Sequence, residues 1–286
     1  MSGARRLVWV VPCFEEASRL REAELLRLAR SEGTSLLLVD DGSRDATRTR
    51  LQAIAGEEPR RVEVLALERN RGKAEAVRLG MQRALEGGAE IVGYADADLA
   101  TPVDELVRLA EVLDAEEADA VLGSRVNLHG SRIERDPRRH YLGRVFATLA
   151  SLVLRTPIYD TQCGAKLFRR APALEAALSA PFLSRWVFDV ELIGRILAQG
   201  GESYRLVEVP LRAWKDVGGS KLRPRDFARA ALDLGRIELD LDKRRKPGRP
   251  AQGDEPYTPA LTPSSRTDSA ATSSPRARGG SGSTGR

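Results

Sequence analysis

Four short apolar runs, each followed by a segment of helical character, restrict this chain to one broad kind of fold. The runs are residues 7–11, 36–39, 62–67 and 91–95, rich in Val, Leu and Ile. They are largely continuous rather than alternating, which is the pattern of strands buried on both faces. Residues 15–31 place Leu20, Leu25, Leu26 and Leu28 at helical spacing, and polar residues from Ser43 to Asp45 suit a helix start running to about Ala55. A further helix follows residues 70–73 through Ala84. Such alternation folds as a mostly parallel sheet flanked by helices, an α/β architecture. With 286 residues and 42% hydrophobic content, the chain can bury a substantial core.

Ligands of parallel sheets bind beyond the carboxyl ends of the strands. Each of the four runs ends there in a polar cluster: residues 12–15, 40–43, 70–73 and 96–98. Asp96 and Asp98 stand one residue apart, so an extended backbone turns both carboxylates to one side. Two carboxylates that close repel unless a cation joins them, and Mg²⁺ or Mn²⁺ is held through such a pair plus phosphate oxygens. Taken alone, the pair serves equally well as caps of a helix beginning near Thr101. Asp40 and Asp41 can accept from ribose hydroxyls and base N–H groups, or simply cap a turn at Gly42. Lys73 and Arg71 open a helix, where backbone N–H groups favour anions. Four such clusters on one rim point to a binding site rather than to four separate caps.

The motifs resemble the inverting family 2 glycosyltransferases of the GT-A fold. The likeness rests on residues 11–16 (Val-Pro-Cys-Phe-Glu-Glu), Asp40-Asp41-Gly42-Ser43, Asn70-Arg71-Gly72-Lys73 and the Asp96/Asp98 pair. Residues 160–168 and 185–191, followed by Val209, Pro210, Trp214, Gly219, Ser220 and Lys221, are similar to the dolichyl-phosphate β-glucosyltransferase and mannosyltransferase-like enzymes. The resemblance covers about residues 7 to 223. It implies that Pro12, Phe14, Glu15 and Asp41 line the nucleoside end, with Asp40 and Lys73 nearby. Asp96 and Asp98 would hold Mg²⁺ or Mn²⁺ on the diphosphate, and Arg125 would face a phosphate. Asp189 and Glu191 occupy the place of an acidic base, and Ser220 and Lys221 belong to a loop closing over the donor. Two departures stand out: membrane relatives often carry transmembrane segments, for which no run here is long enough, and Phe14 replaces the usual tyrosine, with Glu15-Glu16 in place of Asn-Glu. UDP-glucose and GDP-mannose both stay open as donors.

Arg125, Arg132, Arg135, Arg138, Arg139 and Arg144 crowd the segment before a helix with Tyr141, Leu142, Val145, Phe146, Leu149, Leu152 and Val153 on one face. A basic segment joined to an amphipathic helix can lie in a membrane interface, or it can be a core helix beside a solvated loop. In the enzymes it resembles, this region handles a polyprenyl phosphate, which assigns Arg125, Arg138, Arg139, Gln162 and Ser220 to the acceptor. A phosphate acceptor attacks as an anion, whereas a hydroxyl acceptor needs a base such as Asp189 or Glu191. Single displacement inverts the anomeric carbon, giving a β-product from an α-linked donor.

The expected function is therefore transfer of a hexose, with glucose preferred, to polyprenyl phosphate. A soluble hydroxyl acceptor and a non-catalytic nucleotide-sugar-binding protein are the alternatives. No run is long enough to span a membrane and none resembles a signal peptide, so a cytoplasmic protein, peripheral on the inner face of the membrane, is expected. Cys13 and Cys163 are too far apart in sequence and too few to suggest a disulfide framework or zinc site. The net charge is +5, and residues 246–286 carry six basic and three acidic side chains, leaving +2 for the rest, which does not indicate a nucleic-acid partner. A final helix over residues 227–241 closes a single domain at about residue 245. Residues 246–286, rich in Pro, Ser, Thr, Gly and Ala, are read as a disordered tail.

Overall fold

A computed structural model describes residues 6–134, 137–215 and 224–245; the side chains of residues 134–144, 202 and 224–228 lie outside what it describes. The first half alternates as the spacing predicts. Strand β1 (Leu7–Cys13) leads to α1 (Glu22–Ala29), β2 (Thr34–Asp40), α2 (Thr47–Glu57), β3 (Val62–Ala66), α3 (Lys73–Glu86), β4 (Ile91–Ala95) and α4 (Val103–Ala115). The second half adds β5 (Ala120–Ser124), β6 (Arg132–Glu134), α5 (Pro137–Leu154), β7 (Ala165–Arg169), α6 (Pro172–Leu178), α7 (Phe188–Gly200), β8 (Leu206–Pro210), β9 (Ala213–Lys215) and α8 (Pro224–Arg244). The main sheet has seven strands in the order β3-β2-β1-β4-β7-β5-β8, and β6 pairs with β9 in a small second sheet.

Alternate residues of the central strands enter opposite cores. Val10, Leu37 and Val39 pack with α3, α7 and α8 on one face, while Trp9, Val11, Leu36 and Leu38 pack with α1, α2 and α4 on the other. Both faces being covered explains the continuous apolar runs. Helix α3 can lie directly on β1 because Gly80 has no side chain: a Cβ there would stand 2.4 Å from Val10 Cγ1.

Several boundaries differ from the sequence-based expectation. Strand β1 runs through Pro12 to Cys13, because its pairing with β4 ends at Val10 and the proline leaves no ladder donor unmet on that side. The expected helix over residues 15–31 begins only at Glu22. Its first part is a loop whose donors are claimed from outside: Glu15 N–H by Ser43 Oγ at 3.1 Å, Glu16 N–H by Thr47 Oγ1 at 2.8 Å and Ala17 N–H by Asp45 Oδ2 at 3.2 Å. Residues expected to start α2 thus fasten the neighbouring loop, and α2 begins later, at Thr47.

The least expected element is β7, which runs antiparallel between β4 and β5. Ala165, its first residue, pairs with Ala95, the last residue of β4. The segment entering β7 therefore reaches the same rim as the carboxyl ends of β1 to β4. Among the described residues no helix is long and apolar enough to cross a membrane. The expected tail, residues 246–286, lies outside the described residues.

Candidate active site

Asp96 and Asp98 leave β4 at this rim. The Asp96 N–H donates to the Gly164 carbonyl at 3.1 Å, and its carboxylate lies flat on Gly164, where a Cβ would stand 1.9 Å from Oδ2. Lys73, the first residue of α3, places Nζ 2.5 Å from Asp96 Oδ1. Burial works against the Lys73 ammonium, but Asp96, Asp189 and Asp98 outweigh it and hold the lysine above its ordinary value. Asp98 accepts the Ala100 N–H at 3.0 Å. Burial and the neighbouring Asp96 push its carboxyl above the usual range.

The loop after β2 is tied down by its own acids. Asp40 is fully buried and takes Ser43 N–H at 3.0 Å and Arg48 Nε at 2.7 Å. Asp41 accepts Arg71 N–H at 2.7 Å and Gly72 N–H at 2.8 Å, which joins this loop to the one after β3. Burial still raises its carboxyl. Pro12 is half-buried, and Phe14 and Glu15 are exposed, with Glu15 at φ +52°.

Asp189, in the first turn of α7, is brought to the acidic pair by tertiary packing. Its Oδ1 accepts the Tyr94 hydroxyl and, at 2.7 Å, Lys166 Nζ. Glu191, expected beside it as an alternative base, is fully buried and differently employed. It accepts the N–H groups of Leu183 and Ser184 at 2.8 and 3.3 Å and pairs with Arg195 at 2.5 Å. Burial raises its carboxyl despite these donors. Two residues on, a helix turns a side chain by about 200°, so Asp189 and Glu191 do not share a face.

Arg125 follows β5 and grips Asp160 with two parallel bonds, Nε to Oδ2 at 2.6 Å and Nη2 to Oδ1 at 2.8 Å. Its guanidinium lies over the Trp214 ring, 5.3 Å from the centroid. Burial opposes its charge, but Asp160 dominates and raises its proton affinity. Gln162 N–H reaches Asp160 Oδ1 at 3.2 Å, while among the described residues its buried side-chain Nε2 and the Thr161 Oγ1 find no hydrogen-bond partner. Ser220 and Lys221 lie outside the described residues, as do the side chains of Arg138 and Arg139.

Sequence reasoning gave no role to four residues here. Tyr94 lies two positions before Asp96 and so shares its side of β4. Lys166 is a buried cation among the apolar residues Ala165, Leu167 and Phe168 of β7. Arg185 donates to Asn70 Oδ1 at 3.2 Å and closes on Gly72, where φ is +92° and a Cβ would meet Arg185 Nε at 2.7 Å. Glu16 leaves Oε2 buried without a hydrogen bond among the described residues; burial raises its carboxyl, and Asp98 adds to the rise.

Residues 8–175 match the model of Glycosyl transferase family 2. That match spans more than half of the chain. The chain belongs to glycosyl transferase family 2. Among its relatives is the dolichyl-phosphate beta-glucosyltransferase of Drosophila melanogaster, 35% identical over 75% of this chain and 68% of that protein. The human dolichyl-phosphate beta-glucosyltransferase is 31% identical over 78% and 71%. The polyprenol monophosphomannose synthase of Mycolicibacterium smegmatis is 31% identical over 73% and 79%. The fold is shared with glucosyl-3-phosphoglycerate synthase from Mycobacterium tuberculosis, solved with Mn²⁺, uridine diphosphate and glucosyl-3-phosphoglycerate. That structure has a TM-score of 0.58 and 20% identity, covering 85% of this chain and 82% of the other.

The rim of this family 2 glycosyltransferase fits a divalent ion in its donor chemistry. Asp96 and Asp98 offer hard oxygen ligands, and the like-charge pressure that raises Asp98 is what a cation relieves. Among the described residues no three His, Cys, Asp or Glu side chains converge as a closed cage. A Mg²⁺ or Mn²⁺ ion would therefore complete its shell with donor phosphate and water, as Mg²⁺ commonly does.

Proposed function

We propose that this enzyme transfers a hexose, glucose in the preferred reading, from a nucleoside diphosphate sugar to a polyprenyl phosphate at a membrane surface. The observation that carries it is the convergence of Lys73, Asp96, Asp98 and Asp189 on one rim of the sheet. This is a cation-and-carboxylate arrangement suited to a diphosphate leaving group. The relatives' shared activity on lipid phosphates supports the acceptor. So does α5, which packs on α7 and exposes Val145, Leu149 and Leu152 along one side. An apolar stripe next to the basic segment suits peripheral contact with an anionic membrane.

Pro12, Phe14, Glu15, Asp40 and Asp41 form the nucleoside end, with the two aspartates acting mainly by holding the surrounding loops. Asp96 and Asp98 would hold Mg²⁺ or Mn²⁺, which when bound supplies positive charge to the diphosphate. Lys73, kept protonated by its acidic neighbours, adds a fixed cation that the diphosphate meets as it departs. The acceptor phosphate oxygen forms a bond to the anomeric carbon as the bond from that carbon to the diphosphate oxygen breaks, inverting an α-linkage to β. Arg125 receives the acceptor phosphate through Nη1, since Nε and Nη2 are committed to Asp160. Gln162, Arg138, Arg139, Ser220 and Lys221 complete our assignment of the acceptor and donor-closing groups.

A hydroxyl acceptor is the second reading, and Asp189 rather than Glu191 would then take its proton. Among the described residues Asp189 keeps one oxygen uncommitted, whereas Glu191 is enclosed by backbone donors and Arg195. The deciding experiment offers labelled UDP-glucose and GDP-mannose with Mg²⁺ or Mn²⁺ and a polyprenyl phosphate to wild type and Asp98→Ala. Label entering the organic phase only with wild type establishes the lipid acceptor and identifies the donor. Consumption of donor with all label left in water rejects it in favour of a soluble acceptor.

A further inference from the structure

Tyr94 and Lys166 face each other across the antiparallel ladder of β4 and β7, and both are fully buried. Being paired residues, they project to the same side of the sheet. There they meet one oxygen atom. Asp189 Oδ1 accepts both the Tyr94 hydroxyl and Lys166 Nζ. The lysine is fixed in turn by the Cys163 carbonyl, 2.5 Å from Nζ, and by the Tyr94 ring, whose centroid lies 5.2 Å away. The hydroxyl stays a donor, since burial first and then Asp189 push its ionisation well above the ordinary range. Among the described residues Asp189 Oδ2 takes no hydrogen bond, and the carboxylate is close enough to Lys73 to raise the latter's proton affinity.

A buried ammonium is costly and needs a reason to be there. An apolar side chain at position 166 would pack in the same core, as Phe168 two residues on does. What the lysine adds is one strong, directed bond to a carboxylate at the mouth of the site. We propose that Lys166 and Tyr94 are positioning residues for the transfer reaction. They clamp Oδ1 of Asp189 so that Oδ2 is presented to the substrates beside Lys73. The inference rests on the reading that Asp189 works at the transfer site, and it names the two groups that place it there. Neither residue touches substrate; both act through Asp189.

The test compares Lys166→Met, Tyr94→Phe, Asp189→Asn and the two double variants that include Asp189→Asn. Turnover is followed as nucleoside diphosphate release from UDP-glucose and GDP-mannose, and UDP and GDP binding are measured by calorimetry. A clamp that misplaces its carboxylate by an ångström costs about a hundredfold in rate. The expected result is therefore a kcat lower by about ten- to a hundredfold for Lys166→Met, and by less for Tyr94→Phe, with nucleotide Kd unchanged. Adding either change to Asp189→Asn should cost nothing further, because both act through the same carboxylate. Tyr94→Phe keeps the ring in the core and so guards against a Lys166→Met variant that does not fold. Wild-type kcat in both single variants, nucleotide affinity falling in step with kcat, or losses that multiply in the double variants would each overturn the clamp. If nucleotide is released but no lipid is labelled, the polyprenyl-phosphate reading fails while the clamp is still judged on the release rates.

Discussion

The ammonium of Lys73 sits 2.5 Å from Asp96 Oδ1, linking the first residue of α3 to the end of β4 across the rim of the sheet. Twenty-three positions separate them in sequence. One fixed cation is thus held beside the two carboxylates of residues 96 and 98. Replacing it with Lys73→Met should weaken UDP or GDP binding and lower kcat/KM by about ten- to a hundredfold, the effect of losing one charged contact to a developing anion. Calorimetry with each nucleotide, beside steady-state rates, is the check. Unchanged affinity and rate would remove Lys73 from the diphosphate site.

Gly164 is the floor beneath Asp96. A methyl group there would collide with the carboxylate at 1.9 Å. Gly164→Ala is expected to push Asp96 off its place and lower metal-dependent turnover by at least about tenfold. Its melting temperature should stay close to wild type, because the displaced carboxylate is half-exposed and can move outward. A variant with normal turnover would mean that the position of Asp96 is not critical.

Asp98 makes the folded protein sensitive to pH in a definite direction. Its folded value lies above the ordinary 3.8, so the native state binds this proton more tightly than the unfolded chain does. Its contribution to stability therefore falls as pH rises from 3.8 through the folded value, and the cost is complete above that value. In chelator, the melting temperature of Asp98→Asn relative to wild type should rise as pH rises from 3.8, and the difference should vanish toward the acid end. Melting curves against pH that run parallel for the two proteins would contradict this.

Glu191 and Arg195 form a buried pair under the loop that precedes α7. Removing one charge from such a pair costs about 3–5 kcal/mol. Glu191→Gln should accordingly lose stability on that scale in denaturant titration, while the folded fraction keeps kcat within about threefold. Asp189→Asn should lose kcat as well as stability, because it also leaves the buried Lys166 ammonium without its carboxylate. A Glu191→Gln protein that is stable but inactive would return Glu191 to the chemistry.

Much of the site was legible because strand ends announce themselves. The runs ending at Val39 and Ala95 stop at acids, and a parallel sheet sends those acids to one rim whatever else the chain does. Where the helix α1 begins was not legible. Its expected first turns are unwound by Ser43, Asp45 and Thr47, which lie 28 to 31 positions downstream. No local propensity records a side chain that arrives from another loop. Glu191 could not be told from Asp189 in the sequence for a related reason: the two are neighbours there, while the helix turns Glu191 into the core.

The residues themselves determined the α/β alternation, the continuous strands and the polar clusters at their ends, because these follow from local spacing and from burial on two faces. Membership of the glycosyltransferase family was likewise visible in motifs whose order along the chain is their meaning. Only the tertiary structure decided that β7 runs against its neighbours. That reversal brings Gly164 under Asp96 and places Lys166 opposite Tyr94. It also decided which acid of the 189/191 pair reaches the rim. Strand direction and helix facing are settled by packing between distant segments, where burying one side chain fully is worth about 1.5–3 kcal/mol. A bias of that size outweighs any preference the local sequence carries.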